Sequence, residues 1–409
     1  MSITAKKRIL FLAEAVTLAH VVRPLVLAQA LPSEEYEVHF AADPRYDFVF
    51  QNSPIPRNHT LSSISCQQFL DALASGSRLY QRATLVAYIA EDRQLIERVQ
   101  PDLVVGDFRV SLAVSAPLCG VPYATIANAH WSPYSARRGM PLPEHAIERI
   151  FGTRLGTFFF RLVQPAIFRY HAWPLNRLRR QHGLGTLGDL RGTYTHADYT
   201  WYADIPSIAP TQDLPENHQY LGAIPWSPAA VLPRWWEELD AQEPVVYATL
   251  GTSGNTRVLP NLFEAVASLP LRMLFASAGR FPSEAVPPNV LVADYLPGDL
   301  AAARALAVIC NGGSAGVYQA LGQGTPVLGV PSNMDQHLTM EAVAGYGAGI
   351  LVRRRHADPV SLRHALSRLV EQPSYTDRAR ALAEELGSFD APANFRRWVA
   401  AAISRAAGA

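Results

Sequence analysis

The stretch that decides the fold runs Asn311-Gly-Gly-Ser-Ala-Gly-Val-Tyr-Gln-Ala-Leu-Gly-Gln-Gly-Thr-Pro-Val-Leu-Gly-Val-Pro-Ser-Asn-Met-Asp-Gln336. It follows Ala305-Leu-Ala-Val-Ile-Cys310, an uninterrupted apolar run with the character of a buried parallel strand. Gly312 and Gly313 turn the chain at once, and small residues Ser314, Ala315 and Gly316 lead into a helical run over Val317 to Leu321. A strand that turns tightly through glycine into a helix aims backbone N–H groups and the positive end of the helix dipole at one point, which holds a phosphate. Gly324-Thr-Pro326 stops the helix, Val327-Leu-Gly-Val330 is the next buried strand, and a polar loop then carries Asp335 and Gln336. Such turns also occur where an α/β fold merely packs closely. The wider spacing has to decide.

Strand and helix signals alternate on both sides of this stretch. Arg8-Ile-Leu-Phe-Leu-Ala13 predicts a first strand, Tyr36-Glu-Val-His-Phe-Ala41 a second, Pro101 to Asp107 a third and Val121 to Ile126 a fourth, with helical segments between them. A second series opens at Val245-Val-Tyr-Ala-Thr-Leu250, followed by the loop Gly251 to Asn255, and adds strands at Leu271 to Ala276, Val290 to Val292 and Gly349 to Val352. That rhythm predicts mostly parallel, doubly wound sheets, in which ligands sit beyond the carboxyl ends of the strands. His20, Asp107 and His130 fall at such ends.

The totals agree with a two-domain globular chain. Its 409 residues exceed what one core usually carries, and 49% hydrophobic with 17% charged residues is ordinary. A net charge of +1 gives no reason to expect nucleic acid or an acidic partner. Lysine occurs only at Lys6 and Lys7, arginine everywhere else, which reads as the bias of a GC-rich genome. Cys66, Cys119 and Cys310 lack metal-ligand spacing and, with no signal peptide, predict reduced thiols in a cytoplasm. No apolar run is long enough to span a membrane.

The full spacing of the 311–336 stretch resembles the donor-binding signature of the GT-B nucleotide-sugar glycosyltransferases, in the family of plant and bacterial UDP-glycosyltransferases and of the bacterial natural-product type. That pattern is roughly HGGxGTxxEALxxGVPxxxxPxxxDQ. The chain matches it at Gly312, Gly313, Ala320, Leu321, Gly324, Pro326, Pro331, Asp335 and Gln336. It departs where Asn311 replaces the pattern's His, Gln319 its Glu, and Ala315-Gly316 its Gly-Thr. The resemblance implies two facing Rossmann-like domains, with the donor held mainly in the C-terminal one and the acceptor in the N-terminal one. The expected division is 1–215 for the acceptor domain, 216–243 for a Pro- and Trp-rich linker, 244–388 for the nucleotide-sugar domain, and 389–409 for a helix crossing back onto the first domain.

Sugar transfer needs a held leaving group, a positioned sugar and a base for the acceptor hydroxyl. No Asp-x-Asp occurs in the sequence, which argues against metal-dependent GT-A chemistry. The expected donor ligands are instead Gly312, Gly313, Ser314 and Ala315, with Thr252 and Ser253 of the second glycine loop. By resemblance, Tyr295 stacks on the base and the backbone of Leu296 meets its edge. Gln319 occupies the ribose position, Asn311 a phosphate position, and Asp335 with Gln336 the sugar-hydroxyl position. A neutral Gln319 loses the charge-assisted ribose contact, which tilts the expectation from a UDP-sugar towards a dTDP-sugar.

The base is expected at His20, in Ala-His20-Val-Val-Arg-Pro24, a segment similar to the family's G-H-x-x-P or G-H-x-x-R. An imidazole with a pKa near 6.5 can take a hydroxyl proton near neutrality. Asp107 matches the carboxylate that orients it. Displacement at C1 from the opposite face then predicts inversion without metal or cofactor. His130, His145 and His171 are expected to be structural or acceptor-side residues.

Between Arg137 and Arg180 lie nine Arg, two Glu and many aromatics. The expectation is a surface helix pair with its aromatic side packed inward and its arginines in water. The alternative is an insert over the acceptor, lying against a membrane surface or lipid-like substrate. An apolar acceptor, such as a polyketide, lipid or phenolic, fits this composition. Two other functions remain open on sequence: a sugar-nucleotide epimerase using the same fold, and a non-catalytic sugar-nucleotide-binding relative, for which Asn311 and Gln319 speak.

Overall fold

Strands rich in apolar residues on both faces form two all-parallel sheets in the computed structural model, which describes residues 5–137, 139–142, 144, 146–228, 230–240, 242–280 and 286–407. The chain divides into two compact units. One comprises Met1–Gly139, Phe158–Ile224 and Phe389–Ala409, the other Met140–Thr157 and Pro225–Ser388.

The first unit holds β1 (Lys7–Ala13), β2 (Tyr36–Ala42), β3 (His59–Thr60), β4 (Leu103–Asp107), β5 (Tyr123–Ala127), β6 (Tyr199–Tyr202) and β7 (His218–Tyr220). Their spatial order is β3-β2-β1-β4-β5-β6-β7. The order reverses between β1 and β4, the switch point where open α/β sheets bind ligands. Ala13 pairs with Asp107 there.

Helix Ala391–Ala407 covers one face of this sheet. Its Phe395, Val399 and Ala402 recur at helical spacing and are buried among Ile9, Phe11 and Trp201. The Phe395 ring lies 5.9 Å from Phe11 and 5.3 Å from Trp201. Truncating Phe395 to Ala would cost about 3–5 kcal/mol.

The second unit holds β8 (Val245–Thr249), β9 (Arg272–Ala276), β10 (Val290–Ala293), β11 (Val308–Cys310), β12 (Val327–Gly329) and β13 (Gly349–Leu351). They are ordered β10-β9-β8-β11-β12-β13, so this switch point lies between β8 and β11. Helices Leu259–Ala267 and Pro359–Glu371 close one face around Val246, Phe275 and Ile309.

Three expectations need correction. The tract expected as a linker from 216 contributes β7, and β6 was not foreseen. Both are short and mix polar and aromatic residues, so they joined the sheet through backbone pairing with β5 and each other without an apolar run to announce them. Residues 140–157, placed by sequence in the first domain, group with the second unit. Leu142 carbonyl accepts from Arg353 Nη2 at 2.7 Å, and the Glu144 carboxylate accepts the Arg354 N–H at 2.9 Å.

The Arg- and aromatic-rich segment, Ala146–Gln181, is helical on both sides of a break at Gly152, where φ is +67°, so it is two helices as expected. Its aromatics, however, do not all pack inward. Phe160 and Phe168 are buried, but Leu155, Phe158, Phe159, Leu162, Val163, Tyr170 and Trp173 are exposed, Leu162 by 65%. Among the described residues, no helix is long and apolar enough to cross a membrane.

Candidate active site

Beyond β1 the chain bends through Glu14 to Leu18 and enters helix Ala19–Gln29, which puts His20 and Arg23, three residues apart, on one face. Asp107, the last residue of β4, is fully buried opposite them. His20 Nδ1 lies 2.7 Å from Asp107 Oδ1. Arg23 grips the same carboxylate with both prongs, Nη2 to Oδ1 at 2.7 Å and Nε to Oδ2 at 3.0 Å. The structure therefore brings the two sequence-expected residues together and adds a third. No hydrogen bond reaches His20 Nε2 among the described residues, and its side chain keeps 18% exposure.

The two residues after Asp107 hold this arrangement from below. Phe108 has φ of +58°, a left-handed conformation that bulky residues avoid and that surrounding contacts must impose. Its ring stacks on His20 at 4.7 Å and 14°. Phe69, Tyr80 and Tyr194 pack around it, and Trp131 extends the aromatic wall from Tyr194.

Arg109 is fully buried and donates to Asp92 Oδ1, Glu14 Oε2 and Glu91 Oε2, each at 2.9 Å. Burial raises the Glu14 and Asp92 carboxyls above their ordinary range, against the pull of Arg109. That ionic anchor sets the backbone at 108. His130 is buried, and His171 is half-buried with its basicity lowered by burial and by Arg78. His145 lies outside the described residues.

In the second unit the turn after β11 differs in detail from expectation. Gly312 has φ of +80°, and a Cβ there would meet Met340 Cγ at 2.5 Å, so only glycine fits. Its N–H, however, donates to Cys310 Sγ at 3.3 Å, and the Gly313 N–H donates to Asn311 Oδ1 at 3.1 Å. Burial pushes the Cys310 thiol up to about 12, so the sulfur is a neutral weak acceptor.

Both glycine amides are thus consumed inside the turn, that of Gly312 by the Cys310 sulfur and that of Gly313 because Asn311 bends back on it as an Asx residue does. The amides left without partners among the described residues are those of Ser314, Ala315 and Gly316, at the start of helix Ser314–Gly322. Helical bonding begins only with the Val317 N–H to the Gly313 carbonyl.

Around this helix start, Ser253 Oγ accepts from Asn311 Nδ2 at 3.3 Å and from Gln336 Nε2 at 3.5 Å. Gln336 is 2% exposed, and its Oε1 accepts from Ser332 N and Oγ, so its side chain braces the loop. Asp335 occupies the first turn of helix Met334–Tyr346 and is partly exposed.

Gln319 spends its amide on the Trp226 carbonyl at 3.0 Å and Ser227 Oγ at 2.8 Å. Its Oε1 has no partner among the described residues. Leu296 is buried, Tyr295 is half-buried beside Gly279, and burial followed by Asp294 raises the Tyr295 phenol. Arg280, missed by sequence reasoning, donates to the Gly251 and Gly254 carbonyls and so pins the loop bearing Thr252 and Ser253. Among the described residues no cluster of three His, Cys, Asp or Glu could hold a metal ion.

Comparison with known proteins gives the family and the fold. Residues 273–401 match the family model described as "Erythromycin biosynthesis protein CIII-like, C-terminal domain". The "PGL/p-HBAD biosynthesis rhamnosyltransferase" of Mycobacterium bovis (strain BCG / Pasteur 1173P2) is 48% identical over 384 residues, covering 93% of this chain and 85% of that protein. The "PGL/p-HBAD biosynthesis glycosyltransferase" of Mycobacterium tuberculosis (strain ATCC 25177 / H37Ra) is 47% identical over 386 residues, covering 94% and 90%. Among solved structures, "Spinosyn Rhamnosyltransferase SpnG complexed with thymidine diphosphate" superposes with a TM-score of 0.70 at 18% identity, covering 97% of this chain and all of that one (100%). The fold is GT-B.

Proposed function

Because the chain belongs to the bacterial GT-B glycosyltransferases that include the PGL/p-HBAD biosynthesis enzymes, and sugar transfer is its activity, we propose an inverting reaction on a dTDP- or UDP-sugar with His20 as general base. The acceptor is a hydroxyl of an apolar molecule. The observation that carries the reading is the His20 ring, tethered through Nδ1 to Asp107 at 2.7 Å while Nε2 is left without a partner among the described residues. An imidazole so arranged takes the acceptor proton at Nε2 and gains an imidazolium that Asp107 stabilises.

The acceptor oxygen forms its bond to C1 as the bond from C1 to the diphosphate oxygen breaks. The nucleoside diphosphate leaves with that electron pair. The amides of Ser314, Ala315 and Gly316, at a helix N-terminus, meet the charge it gathers. No metal and no cofactor enters the scheme. Asn311, Gly312 and Gly313 shape the turn, and Thr252 and Ser253 extend the phosphate contacts. Tyr295 and the Leu296 backbone receive the base. Asp335 binds sugar hydroxyls, and Gln336 braces the loop before it through Ser332.

Gln319, neutral and with its amide already engaged, offers a single acceptor to the ribose. That favours the deoxyribose of a dTDP-sugar over UDP. The relatives' names bring rhamnose as the sugar and PGL/p-HBAD biosynthesis as the setting, and SpnG was captured with thymidine diphosphate. The aromatic wall beside His20 and the exposed apolar stripe of helix Ala146–Gln181 fit an apolar acceptor and a peripheral contact with lipid. The free cysteines fit a reducing cytoplasm.

Thermal shift of the full chain with dTDP, UDP, GDP and their sugars tests the donor side. The largest shift is expected with dTDP and the next with UDP. A largest shift with GDP would refute it. Anomeric NMR of the first transfer product tests inversion, and retention of the donor's anomeric configuration would remove the general-base role.

A further inference from the structure

We propose that Arg23 is a positioning residue for sugar transfer, which fixes His20 in the tautomer carrying hydrogen on Nδ1 and so leaves Nε2 bare. The inference rests on the reading of His20 as base, and goes beyond it by saying what decides which nitrogen is available.

The argument is a count of donors. Asp107 is fully buried, and three nitrogens converge on its two oxygens: His20 Nδ1 and Arg23 Nη2 on Oδ1, and Arg23 Nε on Oδ2. Arginine stays protonated in proteins and donates from both prongs. A carboxylate that takes the fork on both oxygens acts towards it as an acceptor only. At 2.7 Å from Oδ1, His20 Nδ1 must therefore be the donor. Its remaining lone pair sits on Nε2. Arg23 Nη2 also approaches Nδ1 at 3.1 Å, but in this state both atoms carry hydrogen. They share Oδ1 without bonding each other. Without the guanidinium nothing holds both carboxyl oxygens as acceptors, and the Nδ1–H tautomer of His20 loses what selects it over the one with hydrogen on Nε2.

The fork is itself held in register by a largely buried polar row across the strand ends, with Asn128 half-buried. Arg23 Nη1 donates to Asn128 Oδ1 at 3.0 Å, just past β5. Asn128 Nδ2 donates to both oxygens of Asp204 at 3.2 Å, past β6. Asp204 is fully buried and also accepts the Ala129 N–H at 2.6 Å. The row has a single polarity, since arginine can only give and an ionised aspartate only receive. Asn128 therefore cannot flip without losing bonds at both ends. With His20 neutral, two carboxylates face one guanidinium, and protonation of His20 brings the row to zero net charge.

The test follows the histidine ring nitrogens by ¹⁵N NMR in the full chain, with His20→Gln assigning the His20 signals. The wild type should show a protonated Nδ1 and a bare Nε2. Arg23→Met should convert this to a mixture of tautomers, and Arg23→Lys, which keeps the charge but not the fork, should recover most of the wild-type pattern. Asn128→Ala, a smaller cut, should broaden the signals in the same direction and keeps the test alive if Arg23→Met does not fold.

Turnover, read as dTDP release from a dTDP-sugar with phenol as probe acceptor, should fall at least tenfold in Arg23→Met with KM for the donor unchanged. An unaltered tautomer in folded Arg23→Met overturns the inference. A wild type already carrying hydrogen on Nε2 overturns the base reading beneath it, as would a fully active His20→Gln.

Discussion

The two candidate sites occupy the same place in their sheets, beyond the strand ends at a switch point, yet they are made of different materials. In the first unit the groups are side chains gathered from distant segments: His20 and Arg23 from one helix, Asp107 from β4, Asn128 and Asp204 from beyond β5 and β6. In the second unit the donors left without partners among the described residues are main-chain amides of consecutive residues, 314 to 316, and the polar side chains of Asn311, Ser253 and Gln336 around them are neutral and engaged in bracing the turn. The difference matches the chemistry proposed for each half. A proton can be moved only by a titratable group, and its basicity depends on charges that packing must bring close. A departing phosphate needs only oriented N–H groups, which a short local stretch supplies.

That contrast breaks first at His20. Replacing His20 with Gln should lower the transfer rate by about 10²–10⁴-fold, the usual worth of a general base, and leave dTDP affinity where it was. Loss of nucleotide binding in that variant would show that the halves do not divide the work this way. The converse change is Gly312→Ala. The methyl would be forced into left-handed backbone and against Met340 Cγ at 2.5 Å and the Gln336 carbonyl at 3.1 Å. Strain of this kind is worth about 1–3 kcal/mol, so dTDP should bind about tenfold or more weakly by calorimetry. The ¹⁵N pattern of His20 should not change. A normal dTDP affinity would mean the turn is not the phosphate site.

The same contrast explains what the sequence disclosed. The strand–glycine–helix stretch is contiguous, so its spacing disclosed the local strand, turn and helix and, with the resemblance, the fold. Even there two of the four expected amides, those of Gly312 and Gly313, are already engaged, because Cys310 and Asn311 fold back on the turn in side-chain choices that no glycine spacing reveals. His20 and Asp107 were legible through their strand-end positions and the resemblance. Arg23 sat in plain view three residues on, but nothing local says that its fork meets Asp107. Phe108 was invisible for another reason. Its left-handed φ is imposed by the burial of Arg109 among Glu14, Asp92 and Glu91, and propensity would place no phenylalanine there. The exposed face of helix Ala146–Gln181 reversed the composition-based expectation, since counting aromatics does not say which of them point outward.

The smallest expected effect sharpens the comparison through pH. Among the histidines of the side-chain-built unit that folding makes less basic, two move furthest. Burial lowers His196 to about 4, helped by Arg179, and lowers His218 to about 4. Their folded values lie below the unfolded value of 6.5, so between pH 6.5 and 4 the unfolded chain binds protons that the folded chain refuses. Stability from these groups is complete above pH 6.5 and is lost as pH falls through that window. The raised carboxyls of Glu14 and Asp92 act with the opposite sign. Each favours the folded state while protonated, and that contribution fades as pH rises above its ordinary carboxyl range. Because both histidines keep some solvent contact, about 1 kcal/mol each is a fair discounted magnitude. His196→Asn is the cleaner variant, since Tyr123 donates to the His196 carbonyl and not to its ring. Urea unfolding of this variant at intervals from pH 7 to 4 should show a shallower loss of stability than the wild type, by about 1 kcal/mol over the window. Parallel curves would mean that the His196 ring is as basic in the fold as out of it, and that acid acts on the first unit through other groups.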